Sequence, residues 1–204
     1  KSAKERMRPY FQPVEDVDLA NQEKVLKAFH AARVASHSFA ESTGYAYSDQ
    51  GREPLEEVYT HVFRAEAALV RPQIASGTHA ISLCLSILEP GDELVSASGA
   101  PYDTLQSVIG VRGDSPRSLI KRGVCYKEVP LLEDGTLDLD GIRRQVTSST
   151  KMAIFQRSRG YSWRPSLTIR QLATACKAEK ESNPDCTSLV DTQYAKSVES
   201  YFQL

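Results

Sequence analysis

The stretch Arg71-Pro-Gln-Ile-Ala-Ser-Gly-Thr-His-Ala-Ile81 decides how this chain is read. It runs from a short apolar entry through a Ser-Gly-Thr turn into an apolar segment of helical character. At such a turn the first amides of a helix have no intrahelical acceptor. Those N–H groups, together with the positive end of the helix dipole, form a binding place for an anion. Gly77 allows close backbone approach, and the hydroxyls of Ser76 and Thr78 can add donors. An ordinary capped turn is the competing interpretation, since Ser and Thr are common N-caps. The turn alone does not separate the two.

Outward from it, strands and helices alternate. On the N-terminal side, residues 1–40 are expected to be helical, with Val25, Leu26, Phe29, Ala32 and Val34 near helical spacing. The polar stretch Ser42 to Arg52 has loop composition. Its tyrosines and Arg52 suit either a phosphate or carboxylate clamp or a subunit contact. Pro54 to Leu69 is predicted as a helix, with Pro54 in the first turn and Leu55, Val58, Tyr59, Val62 and Phe63 on one stripe.

On the C-terminal side, a helix over Ala80 to Leu88 is ended by Pro90-Gly91, and Glu93 to Ala97 is a strand. The loop Ser98-Gly-Ala-Pro-Tyr-Asp-Thr104 follows that strand and precedes another helix. Ligands of open α/β sheets gather at such loops, and the ring of Tyr102 could lie on a flat ligand. Cys125 to Val129 is a further strand, Leu131 to Thr136 a turn, Leu139 to Val146 a helix, and Lys151 to Phe155 a buried strand. The loop Gln156-Arg-Ser-Arg-Gly-Tyr-Ser-Trp-Arg-Pro165 collects three arginines and the chain's only Trp, as a recognition surface would. Ser166 to Glu179 is a helix, and Thr187 to Asp191 a strand ending in an acid. This alternation predicts a three-layer α/β/α domain with a mostly parallel sheet.

Composition bounds the function. The 204 residues carry a formal net charge of −1, so no global field draws nucleic acid or an anionic membrane. A basic-loop RNA binder using Arg157, Arg159 and Arg164 is therefore the last-ranked class. No apolar run approaches the roughly 20 residues that span a bilayer. Cys84, Cys125, Cys176 and Cys186 are scattered without a CxxC, which suits buried thiols in a reducing compartment and no metal site. A cytoplasmic location is expected, with an organelle left open because the sequence begins at Lys1 and a preceding segment can be missing.

Taken together, Gly44-Tyr-Ala-Tyr47, Leu69 to Ala80, Pro101-Tyr-Asp-Thr-Leu105, Gln156 to Ser166 and Val190-Asp191 closely resemble one family. It is the methionine gamma-lyase-like, or aluminium resistance protein, family of pyridoxal-phosphate enzymes of fold type I. The resemblance runs from Tyr10 to Tyr194. It implies a PLP-dependent transferase-like large domain acting on a sulfur amino acid by carbon–sulfur elimination. By that resemblance Ser76, Gly77 and Thr78 cradle the cofactor phosphate, Tyr102 stacks on its ring, and Asp191 pairs with the ring nitrogen. Gln156 or Ser158 lies near the ring hydroxyl. Tyr47 and Arg52 belong to a loop lent to a neighbouring subunit, implying a homodimer or homotetramer. One of Arg157, Arg159 and Arg164 holds the substrate carboxylate.

The chain departs from the family after Asp191, reading Asp191-Thr-Gln-Tyr-Ala-Lys-Ser-Val198. Relatives carry their Schiff-base lysine further on, and Lys196 is too close to Asp191 to reach the opposite side of the ring. The expectation is thus a C-terminally truncated large domain: residues 1–52 as N-terminal helix and subunit-contact loop, 53–204 as an incomplete cofactor-binding domain, and no small C-terminal domain. As such it would hold the cofactor without catalysing. A non-catalytic pseudoenzyme or partner subunit is the alternative.

Overall fold

The computed structural model describes residues 2–42, 49–160 and 162–192. They fall into two compact units, one up to Ile74 and one from Ala75.

The first unit is built on two helices, α1 (Ala3–Ala31) and α2 (Arg52–Phe63), with a 3-10 turn over Ser36–Phe39. A capping box starts α1: the Ser2 hydroxyl accepts from the Glu5 amide at 3.3 Å, and the Glu5 carboxylate accepts from the Ser2 amide at 2.9 Å. The helix ends before the expected residue 40. Arg33 takes a left-handed φ of 52° and the Val34 amide bonds the Phe29 carbonyl, closing the last turn. α2 likewise stops short of the predicted Leu69. Arg64 is left-handed, and the Glu56 carboxylate accepts from the Val70 amide at 2.9 Å and from Arg71. A carboxylate in α2 thereby pulls the following segment back along the helix instead of letting it continue. That Val70 bond, with Arg71 beside it and against the opposing effect of burial, holds the Glu56 carboxyl below its ordinary range. Ala28, Ala32 and Val58 form the small core, flanked by Phe29, Val34 and Val62.

The second unit is an α/β domain. In chain order it contains α3 (Gly77–Leu85), β1 (Glu93–Ser96), α4 (Asp103–Ile109), β2 (Cys125–Glu128), α5 (Leu139–Gln145), β3 (Thr150–Gln156), α6 (Ile169–Ser182) and β4 (Thr187–Asp191). The strands lie in the order β2-β1-β3-β4, every pair parallel. Since β1 leads to β2 on one side and β2 leads back across to β3 on the other, right-handed crossovers must put α4 and α5 on opposite faces. Side-chain packing follows that rule. Leu94, Met152 and Ile154 pack with Ile81 and Leu85 of α3 and Leu105 and Ile109 of α4. Val95, Ala153 and Phe155 pack with Ile142 of α5 and Leu172 and Ala175 of α6. Alternate residues of one strand thus feed two cores, which makes the three layers expected from the sequence.

Two helix starts move. α3 begins at Gly77, three residues before the expected helix, because Ser76 caps it. α6 begins at Ile169 rather than Ser166, since Thr168 forms a capping box with Gln171. The direction of the chain reverses between β1 and β3, and at that switch point the loops leaving the two strands part and open a crevice.

Candidate functional site

The crevice is built from one loop or strand end of each of four elements. At the α3 terminus the Ser76 hydroxyl accepts from the His79 amide at 3.1 Å, and the His79 ring nitrogen Nδ1 accepts from the Ala75 amide at 3.2 Å. Two donors are therefore used by the cap. The amides of Gly77 and Thr78 have no acceptor among the described residues. They remain directed along the helix axis, where an anion is stabilised.

Thr78 links this terminus to the loop after β1. Its hydroxyl lies 3.1 Å from the Tyr102 hydroxyl and 2.8 Å from that of Thr104. Three hydroxyls from two segments thus converge beside two open amides. Thr104 was not among the residues expected from the sequence. Its signal was position, two residues after Tyr102 at the start of α4, so that a first-turn side chain faces the same crevice as its N-cap.

That loop is held in place from β1 and β3. Gly99 has a φ of 83°, a conformation costly to any residue with a Cβ. Its amide bonds the Val129 carbonyl, and its carbonyl accepts from the Ser96 hydroxyl. Ser98, 5% exposed, accepts from the Gln156 amide at 2.7 Å, and the Gln156 side-chain oxygen accepts from the Tyr102 amide at 3.3 Å. Gln156 is thereby tied to the backbone that carries Tyr102. Asp191 is its register partner at the end of β4, buried at 9% exposure, so the two side chains stand at the carboxyl ends of adjacent strands.

The three arginines of the loop after β3 have different surroundings. Arg157 is 1% exposed; its Nε donates to the Leu167 carbonyl at 2.9 Å, and its amide donates to the Asp191 carbonyl. Arg164 is half-buried and bonds the carbonyls of Gln156 and Ser158 at 3.1 and 2.7 Å, and burial lowers its pKa. Arg159 is exposed, and among the described residues its side chain has no partner. It shares with Arg164, Gln156, Ser98, Gly99 and Glu128 a cavity of about 300 Å³. Ser158 is buried and meets Arg164 and the Gln156 amide group through its carbonyl. Trp163 is 99% exposed, so it stacks on nothing described.

In the first unit, Arg52 Nε pairs with Asp49 at 3.0 Å. The Asp49 carboxyl lies below its ordinary range chiefly through its bond from the Arg52 amide. Tyr47, Tyr161 and Lys196 lie outside the described residues. Among the described residues no group of His, Cys, Asp and Glu is placed to hold a metal, and no helix is long and apolar enough to cross a membrane. Cys186 is buried, and burial raises its thiol pKa.

Comparison with known proteins supplies the family. Residues 1–202 match the family model described as methionine gamma-lyase. The uncharacterized protein YnbB of Bacillus subtilis is 42% identical over 188 residues, which are 91% of this chain and 45% of YnbB. A Listeria innocua structure described as involved in aluminum resistance superposes with a TM-score of 0.91 at 43% identity, over 97% of this chain and 48% of its own. A carbon-sulfur lyase involved in aluminum resistance from Clostridium novyi gives 0.90 at 37% identity, over 97% and 48%. CalE6, a methionine gamma lyase from Micromonospora echinospora, shares the fold at a TM-score of 0.52 and 23% identity, over 73% of this chain and 34% of its own. This chain spans about half the length of the relatives it matches. With a matching family model over nearly its whole length, the chain belongs to the methionine gamma-lyase family.

Proposed function

We propose that the crevice at the carboxyl ends of β1, β3 and β4 holds pyridoxal 5'-phosphate. On that reading the protein acts as a carbon–sulfur lyase on a sulfur amino acid, as its Clostridium novyi relative is described. The observation that supports the cofactor is the meeting of the Thr78, Tyr102 and Thr104 hydroxyls beside the two open amides of α3. Those donors suit a phosphate dianion, and Asp191 at the paired strand end suits a protonated ring nitrogen.

In this proposal Gly77 and Thr78 hold the phosphate through backbone and hydroxyl, with Ser76 fixing the helix terminus. Tyr102 offers its ring as a stacking surface and its hydroxyl to the phosphate side. Asp191 keeps a proton on the ring nitrogen. When bound, the cofactor supplies a positively charged ring that spreads negative charge from the substrate's α-carbon. Gln156 and Ser158 lie toward the ring hydroxyl. Arg159, exposed and without a side-chain partner among the described residues, is the best-placed arginine to hold a substrate carboxylate. Arg157 and Arg164 bond carbonyls of their own loop and shape it. Tyr47 and Arg52 serve a neighbouring copy in a homodimer or homotetramer. Elimination itself is proposed for the whole protein, and no proton-transferring lysine is assigned among the described residues.

A titration with PLP, followed by tyrosine and tryptophan fluorescence and repeated in inorganic phosphate, tests the cofactor assignment. Saturable quenching that phosphate competes away supports it. Unsaturable quenching, or adducts spread over surface lysines after borohydride reduction, refutes it.

A further inference from the structure

The cavity beside the crevice carries both signs of charge, and they do not meet. Arg159 and Arg164 line it from the loop after β3, and Glu128 lines it from the end of β2. Glu128 is half-buried, and its Oε2 accepts from the Tyr126 hydroxyl at 3.1 Å. Burial, with the Glu128 charge beside it, pushes the Tyr126 hydroxyl pKa up, so that hydroxyl stays a donor and fixes the carboxylate. Among the described residues Glu128 pairs with neither arginine. Arg164 turns its guanidinium to the Pro165, Gln156 and Ser158 carbonyls instead. Opposite charges that line one cavity without pairing leave room for a ligand that answers both.

Strand alternation places this carboxylate on the same face as the crevice. Tyr126 packs with Leu94, Met152 and Ile154 beneath α3 and α4. Glu128 and Gln156 continue their strands in the same phase. Gln156 also accepts from the Tyr102 amide, so the cavity adjoins the loop that carries Tyr102.

Charge decides between ligand classes. A plain carboxylate would answer Arg159 but set a second negative charge near Glu128, which opposes binding. A plain amine would answer Glu128 but face two arginines. A carboxylate and an ammonium on one carbon satisfy both sides through charge-assisted hydrogen bonds. At about 300 Å³ the cavity is at the small end of ligand pockets, which suits a group of that size.

We propose that this cavity is a subsite for an α-amino-acid head group, with Glu128 holding the ammonium and Arg159 the carboxylate. The subsite rests on the carboxylate role proposed for Arg159, to which Glu128 adds selection of an amino acid over a simple acid. The reacting amino group of a substrate is taken up at the cofactor, so the ammonium at Glu128 belongs to a different carbon. Its source is either a second amino-acid arm on the substrate sulfur or a free amino acid.

Ligand-observed NMR on the cofactor-free chain tests the subsite with L-alanine, N-acetyl-L-alanine and L-alaninamide. L-alanine should bind at least tenfold more tightly than the two probes that lack its ammonium or its carboxylate. It should lose at least tenfold in Glu128→Gln and in Arg159→Gln. Glu128→Gln keeps an acceptor for Tyr126, so its urea midpoint should stay near that of wild type. Equal binding of the three probes, or L-alanine binding indifferent to both substitutions, would overturn the proposal. Stable phosphopyridoxyl conjugates of L-lanthionine and L-alanine separate the two sources. A substrate arm makes the lanthionine conjugate bind at least tenfold more tightly, an advantage lost in Glu128→Gln. A free amino acid leaves the conjugates equal, with L-alanine still bound beside them. Failure of both conjugates to bind while L-alanine binds would count against the cofactor site and leave the subsite standing.

Discussion

The two edges of the sheet are both polar, and they use their polar groups in opposite ways. At the amino edge Glu93, 7% exposed, accepts from Lys127 at 2.5 Å and from the hydroxyls of Thr150 and Thr147. Asn183 closes the same edge by donating to the Thr147 and Thr150 carbonyls at 3.0 and 2.9 Å. Each donor there finds an acceptor in the chain, which is how a buried polar network stabilises a fold. At the carboxyl edge the side chains of Ser98 and Gln156 accept from backbone amides, fixing loops, while the Gly77 and Thr78 amides have no acceptor among the described residues. A network that satisfies itself holds strands together. A network that braces its loops and leaves donors facing a crevice is suited to bind something else.

Substitutions at the two edges should therefore separate stability from binding. The largest effect is expected for Glu93→Ala, which leaves a part-buried lysine and two hydroxyls without their acceptor. Urea unfolding should show a loss of about 3 kcal/mol, with PLP affinity unchanged. Next, Thr78→Val removes the central hydroxyl of the cradle while keeping its shape. PLP should bind about tenfold more weakly, a change of about 1.4 kcal/mol, with the urea midpoint nearly unmoved. Ser98→Ala lies between the two classes, because it leaves the Gln156 amide without its acceptor. A loss of about 1 kcal/mol in stability is expected, together with a modest loss of PLP affinity as the Tyr102 loop relaxes.

The smallest effect is in pH dependence. Burial works to raise the Glu93 carboxyl, but the bonds from Lys127, Thr150 and Thr147 outweigh it and hold the group below its ordinary value. A carboxyl lowered in the folded state contributes stability above its unfolded pKa and loses it as pH falls through the folded one. Wild-type stability should thus fall on acidification below the ordinary carboxylate range. Glu93→Gln should be less stable near neutrality and flatter on that acid limb, measured by urea midpoints at a series of pH values.

How much of this could be read beforehand follows from how local each signal is. The Ser76-Gly77-Thr78 turn was legible because a cap is written in adjacent residues. The three layers were legible from alternating apolar runs. Helix ends were less so: α2 is stopped by Glu56 reaching Val70 and Arg71, fourteen and fifteen residues along the chain. Such an interaction leaves no mark in helical periodicity. The loop after β3 reads in sequence as a recognition surface with three arginines, yet Arg157 is buried. It continues the alternation of Ala153 and Phe155, so its side chain follows theirs toward the α5 and α6 layer. Thr104 and Ser98 needed strand order and register before their partners Thr78 and Gln156 could be named. His79, assigned no role from sequence, completes the cap of α3 through its ring.

The assignment of the carboxyl edge as the binding edge is tested most directly by calorimetric titration of PLP into four proteins: wild type, Thr78→Val, Asp191→Asn and Glu93→Gln. The account predicts saturable binding to wild type and to Glu93→Gln with equal affinity, and binding at least about tenfold weaker to the other two. Equal affinity across all four proteins, or a loss confined to Glu93→Gln, would contradict it.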